Sequence, residues 1–255
     1  MRIAPKTLWI ILLALAAVTA GRAGAAEIKV LSAGAVKAVV PELADAFQRE
    51  TGHTVQLTFD TAGALRQRAA TEPADALIIT DAAIDDLIRQ GVVAAGTRTD
   101  LARVGIGVAV RQGAPLPDIS TAEALKRTLL SAKSLVYVDP ARGATSGIHF
   151  AGVLQRLGIA DAVKDKTVLW PGGFAAEAVA KGQAELCVHQ ISEILPVAGV
   201  TLVGPLPKEL QKVTTYSAGL AARSAAPEAT RALLAFLARP EFKAKFAAAG
   251  LDYRE

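Results

Sequence analysis

Few side chains in this sequence are equipped for chemistry, and they lie far apart. The 255 residues include 3 histidines and a single cysteine, with 28 Lys and Arg against 24 Asp and Glu. His53, His149, His189 and Cys187 show none of the short spacings that hold zinc, so no metal site is expected. His53 stands in a Gly-His-Thr turn and reads as a surface residue. No Gly-x-Ser-x-Gly turn follows a strand-like run, and glycine loops of the Walker and dinucleotide kinds are missing from the sequence. No cofactor is therefore expected.

The remaining candidates are small and polar residues that follow strand-like runs. They are Ser32-Ala33-Gly34-Ala35, Asp60-Thr61-Ala62-Gly63, Thr80-Asp81, the stretch from Asp139 to Gly147, and His189-Gln190-Ile191-Ser192. In open α/β sheets, ligands bind beyond the carboxyl ends of the strands, where helix N-termini offer unpaired N–H groups. Arg142 to Gly147 has the makings of an anion cradle, with the Arg142 guanidinium and the Thr145 and Ser146 hydroxyls ahead of a helix. Simple capping is the commoner use of Ser and Thr at that place, and both uses stay open. His149, one turn into the helix, and His189, at a strand end, are candidates to face the same space. Arg66 and Arg68 either reach it or remain solvated.

These loops need elements to hold them. From Glu27 onward, short β-branched runs alternate with amphipathic helical ones, the mark of α/β layers. Ile28 to Leu31 reads as a strand and Ala35 to Glu50 as helical, with Pro41 imposing a kink or a late start. Strands are expected near 54–59, 76–80, 134–138, 167–170, 184–189, 200–203 and 217–221. Helices are expected near 63–70, 82–90, 121–131, 148–157 and 174–181, and the tail reads as two helices at 227–239 and 240–249. The apolar run Val104 to Val110 reads as one strand crossing between two lobes.

Composition bounds the class. With 52% hydrophobic and 20% charged residues, the chain is globular, and Cys187 alone permits no internal disulfide. Met1 to Lys6 is a basic start, Thr7 to Val18 an apolar run, and Ala23-Gly24-Ala25 a small-residue cleavage site. Residues 1–25 are thus expected to be a removable export signal, with the mature protein in the periplasm. The formal charge of +4 includes Arg2, Lys6 and Arg22, so removal of the leader leaves 25 bases against 24 acids. A nearly neutral chain lacks the basic footprint of a nucleic-acid binder.

The segments Lys29 to Arg68, Pro73 to Thr80, Val136 to Gly147 (VYVDPARGATSG among them) and Leu233 to Asp252 resemble the molybdate-binding branch of periplasmic solute-binding proteins that feed ABC importers. The resemblance implies a two-lobed α/β fold of the type II periplasmic-binding class, closing on a ligand at a hinge cleft. Residues 26–108 plus 205–255 would form one lobe and 109–204 the other. It also implies a ligand wall drawn from Ser32, Ala33, Gly34, Ala35, Thr61, Ala62, Arg142, Thr145, Ser146, His149, His189 and Gln190. Molybdate binders carry serines where this chain has Ala35 and Ala62, and a tyrosine near His189. Arg142, His149 and His189 suit carboxylates, which accept paired charged hydrogen bonds.

The leading expectation is a monomeric exported protein that captures a small anion, a molybdate-like oxyanion or a small carboxylate, for the membrane subunits of an ABC importer. The segment Ser32 to Val36 (SAGAV) also resembles aconitate isomerase, an enzyme on the same fold. That alternative asks for one base, His149 or His189, to move a proton along an allylic system while cationic and N–H groups hold the carboxylates.

Overall fold

The computed structural model describes residues 24–252. The expected leader lies outside the described residues except for Gly24 and Ala25. Strand β1 (Glu27–Ala33) leads through a 3-10 turn (Gly34–Val36) into helix α1 (Val40–Thr51). Pro41 takes the first helical turn, where its missing N–H goes unused, so the helix starts late instead of running on from Ala35. Then β2 (Thr54–Asp60), α2 (Ala62–Thr71), β3 (Ala76–Thr80) and α3 (Asp81–Arg89) repeat the strand–helix step. Strands β4 (Thr99–Val104) and β5 (Ile106–Arg111) follow, with Gly105 alone between them.

A second alternating set comprises α4 (Ala122–Ser131), β6 (Leu135–Val138), α5 (Thr145–Arg156), α6 (Ala160–Lys164), β7 (Thr167–Trp170), α7 (Ala176–Ala180), β8 (Leu186–Gln190) and α8 (Ile191–Ile194). The chain ends with β9 (Val200–Pro205), β10 (Thr214–Leu220), α9 (Pro227–Leu237) and α10 (Lys243–Ala248).

The strands form two five-stranded sheets of the same plan, β2-β1-β3-β10-β4 and β7-β6-β8-β5-β9. In each, three parallel strands are flanked by an antiparallel pair: β10 runs against β3 and β4, and β5 runs against β8 and β9. The chain passes between sheets twice, at Gly105 and between Pro205 and Thr214. The apolar run from Val104 is therefore two strands in different sheets, not one crossing strand, and Ile106–Val108, which the sequence reading places with the first lobe, belongs to the second sheet. Gly105 stays fixed by its carbonyl, which accepts from Ile191 N at 3.0 Å.

Each sheet has its own apolar core. In the first, Phe236 of α9 meets Phe47 of α1 edge-on with centroids 5.4 Å apart, so the C-terminal helices close back over the N-terminal lobe. In the second, Tyr137 and Phe150 make the corresponding edge contact at 5.1 Å. Asp75, only 4% exposed, ties the first lobe together. Its carboxylate accepts from Lys29 N (2.9 Å), Ser224 Oγ (2.7 Å) and Ala225 N (2.8 Å), binding β1 to the segment before α9. Burial opposes its ionisation, but these hydrogen bonds together with Ala226 N outweigh that and hold the carboxyl below its ordinary value.

Candidate active site in the cleft

Because both sheets are parallel at their centres, the ends of β1 and β2 in one and of β6 and β8 in the other face a common cleft. It encloses a cavity of about 110 Å³. A single water needs roughly 10–15 Å³, so there is room for a small organic ion. The first lobe contributes Ala33, Gly34, Ala35 and Lys37 after β1, Asp60, Thr61 and Ala62 after β2, and Tyr216 from β10. The second lobe contributes Thr145 and Ser146 at the start of α5, Phe174 before α7, and His189, Gln190 and Glu193 around the end of β8.

The structure thus brings together nine of the residues expected from sequence: Ala33, Gly34, Ala35, Thr61, Ala62, Thr145, Ser146, His189 and Gln190. Three others stand elsewhere. Ser32 is fully buried behind the wall, its hydroxyl turned to the Ala33 carbonyl. Arg142 is exposed, and its backbone carbonyl, not its guanidinium, works at the cleft by accepting from Thr61 Oγ1 at 2.5 Å. His149 sits one turn down α5 from Thr145, where Nε2 donates to the Leu210 carbonyl at 2.7 Å, away from the cavity. Arg66 and Arg68 are held by Asp86 (3.0 Å) and Glu72 (2.7 Å).

The lobes touch across the cleft mouth. Besides the Thr61–Arg142 bond, Gly63 N donates to the Gly143 carbonyl at 3.1 Å. A Cβ on Gly63 would lie 2.6 Å from Gly143 Cα, so this main-chain clasp demands glycine on both sides.

His189 is fully engaged. Its Nδ1 accepts from Gln190 N (2.9 Å) and faces Ser146 Oγ (3.1 Å), so the hydrogen-bond network assigns the ring proton to Nε2, which donates to the Gly173 carbonyl at 3.0 Å. With both nitrogens committed, His189 orients its neighbours, and neither histidine offers the free lone pair expected of a base. The Tyr216 hydroxyl accepts from Gln190 Nε2 at 3.2 Å and also bonds to Thr145. Burial, then the Glu193 charge, push the phenol up, so it remains a hydrogen-bond donor. Cys187 is likewise kept as a thiol by burial.

Glu193 is the group that sequence reasoning missed. It is 7% exposed and lines the cavity, with Oε1 3.7 Å from His189 Nε2. Burial raises its pKa, and the facing His189 and Lys37 only partly counter that. Gly34 makes room for it: a Cβ there would lie 2.6 Å from Glu193 Oε1. The available sequence signal was an acid one helical turn after His189, within the short, mostly apolar stretch Ile191 to Leu195. Among the described residues, no group of three or more His, Cys, Asp or Glu is placed to hold a metal.

A family model described as bacterial extracellular solute-binding protein matches residues 28–252. The chain belongs to that family. Its two-lobed α/β architecture is the type II periplasmic-binding fold, which it shares with the periplasmic molybdate-binding protein of Azotobacter vinelandii. That likeness has a TM-score of 0.74 at 20% identity over 89% of this chain and all of the other. A sulfate-binding protein of Mycobacterium tuberculosis superposes with a TM-score of 0.68 at 17% identity, over 89% of this chain and 86% of the other. At such identities, the likeness is one of fold. In sequence, this solute-binding family member is 38% identical over 216 residues to an aconitate isomerase of a Pseudomonas species, covering 82% of this chain and 81% of that one.

Proposed function

We propose that this family member is an exported isomerase that moves a proton along the allylic system of aconitate, interconverting its cis and trans forms. The observation that carries the reading is Glu193, a buried carboxyl lifted by its surroundings on the wall of an anion-sized cavity. Molybdate and sulfate carry no carbon-bound proton for such a group to move, and Asp60 is the other carboxylate on the same wall. A carboxyl with a raised pKa is instead suited to take a proton from carbon and return it. The 38% identical isomerase supports the same choice.

The step balances without an outside reactant. Ionised Glu193 takes a proton from the methylene carbon of aconitate. The electron pair left behind spreads over the allylic carbons and into the adjoining carboxylate. The proton returns from Glu193 to the former vinyl carbon, and the double bond ends one position along. Unpaired N–H groups in the first turn of α5 and the Thr145 hydroxyl hold substrate carboxylates. His189 orients Ser146 and Gln190 beside Glu193, and the clasp at Thr61 and Gly63 holds the lobes together. The reading also places the mature chain in the periplasm after loss of residues 1–25.

The test is incubation of the mature protein with trans-aconitate in D2O. Proton NMR is expected to show cis-aconitate, with deuterium at the methylene carbon only to the extent that Glu193 exchanges its proton with solvent before returning it. A folded preparation that produces no cis-aconitate overturns the reading. The second reading, a carrier of a small anion for an ABC importer, is supported by the family and by the donors at the start of α5. Titration calorimetry with molybdate, tungstate and sulfate tests it, and tight binding without isomerisation selects it.

A further inference from the structure

Lys37 is the one cation on the cavity wall. Arg66 is paired with Asp86 and Arg68 with Glu72, whereas Arg142 at the cleft mouth turns its side chain to solvent. Among the described residues, Lys37 has no carboxylate within ion-pair distance and no acceptor for its ammonium hydrogens. Its Nζ is instead held between two aromatic rings, 5.7 Å from the centroid of Phe59 and 5.4 Å from that of Phe174. Phe59 is the next-to-last residue of β2 in the first lobe, whereas Phe174 precedes α7 in the second.

Lys37 is an exposed residue at the cavity wall, and aromatic faces attract an ammonium but offer no lone pair, so its three N–H donors are left to solvent or to an incoming ligand. The group that answers a directed ammonium best is a carboxylate, through charge-assisted hydrogen bonds. Because the second ring comes from the opposite lobe, the sandwich is complete only when the lobes are together. We propose that Lys37 is the specificity-determining residue of the cleft: it takes one carboxylate of the substrate, and Phe174 fixes it in place as the lobes close. The choice of aconitate as that substrate rests on the isomerase reading; the Lys37 contact itself is read out in binding.

The experiment measures trans-aconitate affinity by calorimetry, together with steady-state kinetics, for wild type, Lys37→Met, Lys37→Arg and Phe174→Leu. Methionine keeps the length and the apolar stem while removing the charge. Its Kd is expected to rise about 10- to 100-fold, the usual worth of a charge-assisted hydrogen bond. Its Kd should also depend less on salt, and KM should move far more than kcat. Lys37→Arg should recover most of the affinity, and Phe174→Leu should lose a smaller part. A Lys37→Met Kd within twofold of wild type overturns the proposal, as does Lys37→Arg binding no better than Lys37→Met, which would reduce Lys37 to packing. Wild type that binds trans-aconitate without turning it over removes the isomerase reading but leaves Lys37 to be judged on the affinities. Wild type that binds no trans-aconitate overturns both.

Discussion

Gly34→Ala tests the site at its contact with Glu193. The backbone there has no left-handed φ, so alanine fits the main chain without strain. The added Cβ would stand 2.6 Å from Glu193 Oε1 and 3.6 Å from its Cδ, where ordinary contact begins near 3.4 Å. The carboxyl must therefore retreat by about 0.8 Å. Glu193 is buried, and its oxygen lies close to His189, so any retreat displaces the carboxyl from its present place on the cavity wall. A misplacement near 1 Å costs roughly 10²-fold in a step that depends on alignment. Gly34→Ala is accordingly expected to lower kcat by about 30- to 100-fold while KM changes little, because the carboxylate-holding groups are untouched. Isomerisation of trans-aconitate followed by NMR supplies the rates, and circular dichroism checks that the fold is retained. A folded Gly34→Ala protein with kcat within threefold of wild type would refute Glu193 as the positioned base.

Three further perturbations follow from named contacts. Glu193→Gln should reduce kcat by about 10²- to 10⁴-fold. Since the folded pKa of Glu193 is raised above 4.5, its favourable contribution is complete below that value and lost as pH rises through the folded one. The glutamine variant should then melt higher than wild type in mildly alkaline buffer and equally at pH 4, and wild-type kcat/KM should rise with pH as Glu193 ionises; equal melting at both pH values would count against a burdened carboxylate. Gly63→Ala places a Cβ 2.6 Å from Gly143 Cα and 3.2 Å from the Arg142 carbonyl, backbone atoms that cannot swing aside. It should weaken ligand binding roughly tenfold by opposing closure, with X-ray scattering showing a larger liganded radius; an unchanged Kd would dismiss the clasp. Asp75→Asn should lower stability at neutral pH by about 2–4 kcal/mol in urea unfolding. Because the folded Asp75 pKa lies below 3.8, the wild-type advantage is present above that value and fades as pH falls through the folded one, and a constant difference across acid pH would contradict this.

Local signals carried much of the architecture. The alternation of β-branched and amphipathic runs predicts the two α/β sets, Pro41 the late start of α1, and Pro227 the start of α9. Strand direction was less legible, because a buried strand reads the same whichever way it runs. The antiparallel β5 and β10 emerge only from pairing, and Gly105 splits an apolar run that periodicity cannot divide.

The sequence by itself determined which loops end the parallel strands, and so which short stretches meet at the cleft. Strand ends follow from hydrophobic pattern and turn residues, both local properties. The tertiary structure alone decided which side chains look inward. Arg142 and His149 had the right chemistry on the right loops, yet one points to solvent and the other to Leu210. Glu193 and Lys37 became part of the site through burial against Gly34 and through Phe174 of the opposite lobe. Such contacts join residues more than a hundred positions apart, and the charge state they impose depends on the distance between lobes, which no local pattern encodes.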